Sequence, residues 1–106
     1  MRPILGLMLL VLAGSALAQA SVGNAQAAKS KISMCMGCHG IPDYKTAFPH
    51  VYSVPLIAGQ QPAYIVNALK AYKSRARSHP SMRAVAQSLS DQDMADVAAY
   101  FASEPK

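Results

Sequence analysis

The spacing of apolar and polar positions predicts a helix early in the chain, followed by a long loop. Residues 25–36 are rich in alanine and follow Asn24, a residue type that caps helix N-termini well. From residue 37 to residue 61, three prolines interrupt any helix, and the alternation typical of a strand is not sustained. Loops of this length are uncommon unless they serve a function. We therefore expect residues 37–61 to be an ordered loop that wraps around something.

The second half of the chain predicts three further helical segments. The first opens with Pro62 and fades near Arg77, and a second proline-containing stretch, residues 78–82, leads into a short helix over residues 83–89. The last helix has Ser90 as its N-cap, with Asp93 placed as in a capping box. Apolar residues recur at helical spacing in the first and last of these segments: Ile65, Ala68, Leu69 and Tyr72, then Met94, Val97, Ala98 and Phe101. The pattern predicts a small all-α domain with long loops.

The N-terminus has the three parts of a secretory signal peptide. Arg2 precedes an uninterrupted apolar run at residues 7–13, and small residues then offer cleavage after Ala18 or after Ala20. An uncleaved anchor is the alternative, but the run is shorter than the roughly 20 residues that a spanning helix needs. We expect residues 1–18 to be removed and residues 21–106 to form one domain that works in the periplasm.

Composition adds that the domain is short of large apolar side chains. The chain has 106 residues, enough for one domain, and 13 of its first 18 are apolar. From residue 19 onward, 42 of 88 residues are apolar, but 16 of these are alanine, three are leucine and none is tryptophan. So small a domain is marginally stable even when well packed, which suggests that a non-protein group fills its centre. A large multi-substrate enzyme, a polytopic membrane protein and a disordered chain are all disfavoured.

Residues 35–39 read Cys-Met-Gly-Cys-His and carry the chemistry. Two cysteines three positions apart can form thioethers with the two vinyl groups of one porphyrin, and the adjacent His39 can then reach the iron. A disulfide and a redox-active thiol pair are the alternatives for Cys35 and Cys38. Zinc is disfavoured because the chain has no second pair of ligands at suitable spacing. The motif predicts covalent attachment of one haem c.

The second axial ligand of the iron decides between electron transfer and the binding of small molecules. Met82 is favoured, because it follows Pro80 in an irregular connection that could fold over the second face of the haem, and His79 is the next choice. A His39 and Met82 pair would raise the reduction potential, since a soft thioether favours ferrous iron. The full set of histidine and methionine candidates is His50, His79, Met34, Met36, Met82 and Met94.

Four motifs in order make residues 23–103 resemble a class I c-type cytochrome of the small bacterial periplasmic kind. They are residues 35–40, residues 55–60, Met82 and residues 89–102. The resemblance implies a helical fold with loops wrapped around one covalently attached haem. It also implies that the carbonyl of Pro55 accepts a hydrogen bond from His39. Ile57 would pack on the haem, and the first and last helices would cross near Tyr100. Residues 41–54 are longer than the family pattern.

Basic residues concentrate beside Met82. Removal of the signal peptide leaves nine basic and five acidic residues, a net charge of +4. This cluster is either a solvated helix face or a positive collar that steers an acidic redox partner, such as an oxidase, reductase or dehydrogenase. Nucleic acid is not expected as a partner. Five of the nine basic residues lie within 14 positions: Lys70, Lys73, Arg75, Arg77 and Arg83.

The tyrosines expected to pack on the haem or to cap its propionates are Tyr44, Tyr52, Tyr64 and Tyr72.

Together these features predict a periplasmic electron-transfer protein that is not an enzyme and binds no small-molecule substrate. Cys35 and Cys38 would hold the haem, and His39 and Met82 would hold its iron. Two alternatives stay open from the sequence: a periplasmic thiol–disulfide oxidoreductase that uses the two cysteines, and a gas-binding haem sensor.

Overall fold

The computed structural model describes residues 22–48 and 50–106; the predicted signal peptide lies outside the described residues. In this part of the chain, five helices and one small hairpin carry the regular structure, so the predicted all-α class is confirmed. The helices are α1 (Ala25–Ala28), α2 (Ser33–His39), α3 (Pro62–Lys73), α4 (Pro80–Gln87) and α5 (Asp91–Ser103), and the strands are β1 (Lys45–Thr46) and β2 (Tyr52–Ser53). None of the described helices is long and apolar enough to cross a bilayer.

The predicted helix over residues 25–36 is divided in two. The side chain of Asn24 caps α1, accepting the N–H groups of Gln26 and Ala27, as its residue type predicts. A turn at residues 29–32 then separates α1 from α2. The predicted end of the helix at residue 36 is wrong, because α2 continues through both cysteines to His39. All three residues of the motif are therefore held on one short helix.

The predicted loop over residues 37–61 contains a two-stranded antiparallel hairpin. Lys45 lies opposite Ser53, and Thr46 lies opposite Tyr52. The hydroxyl of Thr46 also accepts the N–H of Tyr52, at 3.2 Å. Two-residue strands are too short to produce a detectable alternation in the sequence, so the prediction of a wholly irregular segment was wrong.

The start of α4 also differs from the prediction. The helix begins at Pro80, not at residue 83, because a proline at the first helical position already has the backbone angle that a helix requires. His79 precedes it in an extended conformation, and its Nδ1 accepts the N–H of Met82 at 3.2 Å. Met82 therefore lies in the first turn of a helix and not in an irregular connection, which corrects the sequence prediction.

Helix α5 is the centre of the core and begins as predicted. Ser90 and Asp93 form a reciprocal capping box, with N–H donors at 3.0 Å and 2.9 Å from the two side-chain oxygens. The first and last helices contact each other. Just before α1, any side chain at Gly23 would collide with the carbonyl of Ala95, five residues before the predicted crossing near Tyr100. The buried side chains of α5 are Met94, Ala95, Asp96, Val97, Ala98 and Phe101.

A charged network joins the N-terminal segment to α5. Lys31 Nζ lies 2.7 Å from carboxylate oxygens of both Asp93 and Asp96, and Asp96 is only 2% exposed. The backbone N–H of Asn24 donates to Asp96 at 2.9 Å. The hydrogen bond from Lys31, supported by bonds from Ser90, lowers the pKa of Asp93 to about 2. These contacts hold α1 and the turn before α2 against α5.

Candidate functional site

A cavity of about 350 Å³ lies between α2, the hairpin, α3 and α4. Five of the six residues expected to contact a haem line it: Cys38, His39, Pro55, Ile57 and Met82. Its other walls include the apolar side chains of Ile65 and Leu69 from α3. Residues that are distant in sequence thus meet around one mostly apolar space.

His39 is fixed at the end of α2 by a hydrogen bond to the following loop. Its Nδ1 lies 2.7 Å from the carbonyl oxygen of Pro55, the contact that the family resemblance implied. The loop is in turn tied to α5, because the N–H of Gly59 donates to the carbonyl of Phe101 at 2.8 Å. Gly59 has φ +74°, a conformation that glycine adopts without strain. Because Nδ1 is bound to Pro55, Nε2 is the ring nitrogen left to bind a metal.

The two cysteines differ in their surroundings. Cys38 lines the cavity, whereas Cys35 does not line it and packs into the core at 9% exposure. Burial, followed by the proximity of Cys38, raises the pKa of the Cys35 thiol. A reactive redox cysteine requires a lowered pKa, so the electrostatics of Cys35 do not favour a thiol–disulfide oxidoreductase. An uncharged thioether sulfur suits a buried position better than a thiolate.

Two of the six candidates for the second axial ligand line this cavity, and they are neighbours. They are Met82 and His79, and the His79 Nδ1 already accepts the N–H of Met82. Met94 is fully buried in the core and His50 is exposed. Met34 and Met36 are exposed to 44% and 39% on the helix that carries the cysteines. Met82, the candidate that the sequence favoured, thus lines the cavity from the first turn of α4, where the sequence predicted an irregular connection.

Aromatic rings surround His79 at the edge of the cavity. The ring centroid of Tyr52, on β2, lies 4.4 Å from that of His79, and the ring of Tyr72 lies 6.4 Å away. The guanidinium of Arg77 lies 4.7 Å from the centre of the Tyr72 ring. Tyr64 also lines the cavity but Tyr44 does not. The contact between Tyr52 and His79 could not be predicted from the sequence, since nothing in the local pattern links residues 27 positions apart.

The basic residues near Met82 do not all project freely. Lys73 Nζ donates to the carbonyl of Leu89 at 2.6 Å, so this side chain links α3 to the segment before α5. Arg77 packs on Tyr72 and lines the cavity. Lys70 is exposed, and its charge is the one on α3 most available to a partner.

The donor set at this cavity fits a covalently attached haem. It combines the thiol of Cys38, with Cys35 one turn away on the same helix, an imidazole with one nitrogen already oriented, and a thioether, within apolar walls. A comparison with known protein families identifies the family of this chain, because the family model described as Cytochrome c matches residues 13–104. The chain belongs to the cytochrome c family. That family carries haem c, bound covalently and containing iron.

Named relatives give the same assignment. Cytochrome c4 from Thiocapsa roseopersicina is 39% identical over 94 residues, which cover 88% of this chain and 46% of that protein. Cytochrome c4 from Pseudomonas aeruginosa is 38% identical, with 98% and 49% covered. Cytochrome c-554(548) from Halomonas halodenitrificans is 38% identical over 85 residues, which cover 77% of this chain and 98% of that protein. These relatives give no support to the oxidoreductase or gas-sensor alternatives.

The fold is likewise similar to that of a solved cytochrome c4. The crystal structure of reduced cytochrome c4 from Pseudomonas stutzeri superposes with a TM-score of 0.63 at 28% identity, and the match covers 79% of this chain and 47% of that one. The present chain thus spans about half the length of the cytochrome c4 proteins that it matches.

Proposed function

We propose that this protein is a one-electron carrier with a single haem c, attached through Cys35 and Cys38 and coordinated by His39 and Met82. The observation that carries the proposal is the cavity, on which Cys38, His39 and Met82 converge although 43 residues separate the last two. The two cysteines lie three positions apart on α2, so their sulfurs leave the helix within about one turn of each other.

When bound, haem iron supplies a one-electron change between its ferric and ferrous forms. The residues of the chain set the conditions for that change. The carbonyl of Pro55 orients the imidazole of His39, and a hydrogen bond of this kind raises the basicity of the ligand. The thioether of Met82 is a soft ligand that favours the ferrous form. If His39 and Met82 both hold the iron, no coordination position would be left for a substrate, so the protein is proposed to carry electrons and not to act as an enzyme.

The location and partners of the protein are part of the same proposal. Export by the N-terminal signal would place the mature domain, residues 21–106, in the periplasm. Its partner would be a redox protein with an acidic docking surface, attracted by the exposed Lys70 and its basic neighbours. No small-molecule substrate and no nucleic acid are required.

Intact-mass measurement with thiol labelling tests the attachment. The mature protein should carry the mass of one haem, and neither cysteine should react with an alkylating reagent after denaturation and reduction. Two labelled cysteines and no added haem would contradict the proposal and favour the thiol–disulfide alternative. Tight binding of carbon monoxide by the untreated ferrous protein would instead favour the gas-binding alternative.

A further inference from the structure

We propose that His79 is a positioning residue that holds Met82 in place by capping the first turn of α4. The inference rests on the proposed function, in which Met82 is an iron ligand. His79 is extended (φ −162°, ψ 115°), Pro80 follows as the first helical residue, and the N–H of Met82 donates to His79 Nδ1 at 3.2 Å. The capped N–H therefore belongs to Met82 itself, which lines the cavity.

The choice of histidine at this position has a structural reason. Asn, Asp and Ser are the preferred N-caps, and any of them could accept the same N–H. The imidazole is larger, and it reaches Tyr52 on β2 with 4.4 Å between ring centroids while its Nδ1 still caps the helix. Tyr72 on α3 contacts it from a second direction, at 6.4 Å. A ring packed by two other elements cannot turn freely, so the cap is held in one orientation.

The hairpin connects this cap to the other proposed ligand. Tyr52 packs on His79, and three residues later the carbonyl of Pro55 is bound to His39. Residues 52–55 thus contact the side chain that supports Met82 and orient His39 directly. Tyr52 lies on β2, and Pro55 follows the end of that strand by two residues. His79 thereby acts through Met82 and need not bind iron itself.

Nitrogen NMR on the wild-type ferrous protein tests the cap without any substitution. Long-range correlations from the ring protons of His79 should show Nδ1 without a proton, and the amide of Met82 should exchange with solvent more slowly than that of Ser81. A protonated Nδ1, or a Met82 amide that exchanges as fast as that of Ser81, would overturn the proposal.

Titration of the ferric protein with imidazole tests the effect on Met82. Imidazole competes with the Met82 thioether for the iron. If Met82 is held less firmly, the apparent affinity of the ferric protein for imidazole should therefore increase. His79→Ala removes the cap and should raise that affinity about fivefold, equivalent to about 1 kcal/mol. His79→Asn is the matched control: it retains a capping side chain and should stay within about twofold of the wild type.

The outcomes separate this inference from the proposed function. If the wild-type ferric protein lacks the weak thioether-to-iron charge-transfer band, Met82 is not a ligand and both fail. If the band is present but His79→Ala binds imidazole as weakly as the wild type, only the positioning role fails. If the band disappears equally in His79→Ala and His79→Asn, the imidazole itself is required and the capping role is wrong.

Discussion

The Nδ1 atom of His39 lies 2.7 Å from the carbonyl oxygen of Pro55, and the loop that presents this oxygen is anchored to α5 through Gly59. The last residue of the motif helix is therefore oriented by a segment 16 residues further along the chain. Such a hydrogen bond fixes the ring and increases electron donation from its other nitrogen. The arrangement makes the Gly59 turn part of the support of the site.

Gly59→Ala should weaken this support. Its φ of +74° strains any residue with a Cβ by about 1–2 kcal/mol, so thermal stability should fall. Loosening of the loop should lengthen the bond between Pro55 and His39 and raise the reduction potential, because a less basic ligand favours ferric iron less. Calorimetry and redox titration would measure the two effects.

Gly37→Ala is the matched control for that substitution. Gly37 lies within α2, and a Cβ there meets no atom within 4 Å. It should gain up to about 1 kcal/mol of stability, since alanine is the better helix former. An equal loss of stability in both variants would contradict the special role of the Gly59 turn.

Met82→Ala should remove the thioether ligand. The charge-transfer band of the ferric protein should disappear, and the potential should fall by at least about 60 mV, a factor of ten in a one-electron equilibrium. Met36→Leu is the control, because Met36 is a partly exposed methionine that does not line the cavity. A band retained in Met82→Ala, or lost in Met36→Leu, would show that the ligand was assigned wrongly.

The charged network at α5 predicts a dependence of stability on pH. The pKa of Asp93 is lowered to about 2, chiefly by the hydrogen bond from Lys31, so its stabilising effect is fully present above the unfolded pKa near 3.8. That effect should be lost as pH falls from about 4 towards 2. Lys31→Met should unfold at a lower temperature than the wild type at pH 7, and the difference should narrow over this interval. Lys29→Met, at an exposed neighbouring position, should leave the fall of the unfolding temperature between pH 4 and pH 2 unchanged. The same fall in the wild type and in both variants would refute the stabilising role of the contact between Lys31 and Asp93.

Lys70→Glu should slow electron transfer to an acidic partner at low ionic strength and have less effect at high salt, because screening shortens the reach of surface charges. Lys29→Glu changes the net charge equally at a position outside the basic cluster, and it should have the smaller effect in stopped-flow measurements. Lys73→Glu should also reduce stability, since Lys73 Nζ is bound to the carbonyl of Leu89. Rates that are unaffected by Lys70→Glu at every salt concentration would exclude steering by this cluster.

Local signals in the sequence were sufficient for some elements of the fold and not for others. Ser90 and Asp93 define the start of α5 by a contact between near neighbours, so the capping box could be predicted. The division between α1 and α2 could not, because Lys31 in the intervening turn is held by carboxylates more than 60 residues away. The start of α4 was detectable in principle: Pro80 suits the first turn of a helix, but residues 78–82 were assigned to the stretch before the helix.

The candidate site also combines features that have a local signal in the sequence with features that depend on distant contacts. The spacing of Cys35, Cys38 and His39 is a local motif, and two of its residues, Cys38 and His39, line the cavity. The role of Tyr52 depends on a hairpin of two-residue strands and on packing against a side chain from another element, neither of which has a signature in sequence.

A spectroelectrochemical titration of the purified protein tests the central claim most directly. We predict a single reversible transition with the one-electron slope of about 59 mV per decade, and a thioether-to-iron band that is present only at the oxidised end. A two-electron slope of about 30 mV per decade with titratable thiols, or a protein with no haem transition at all, would contradict the account.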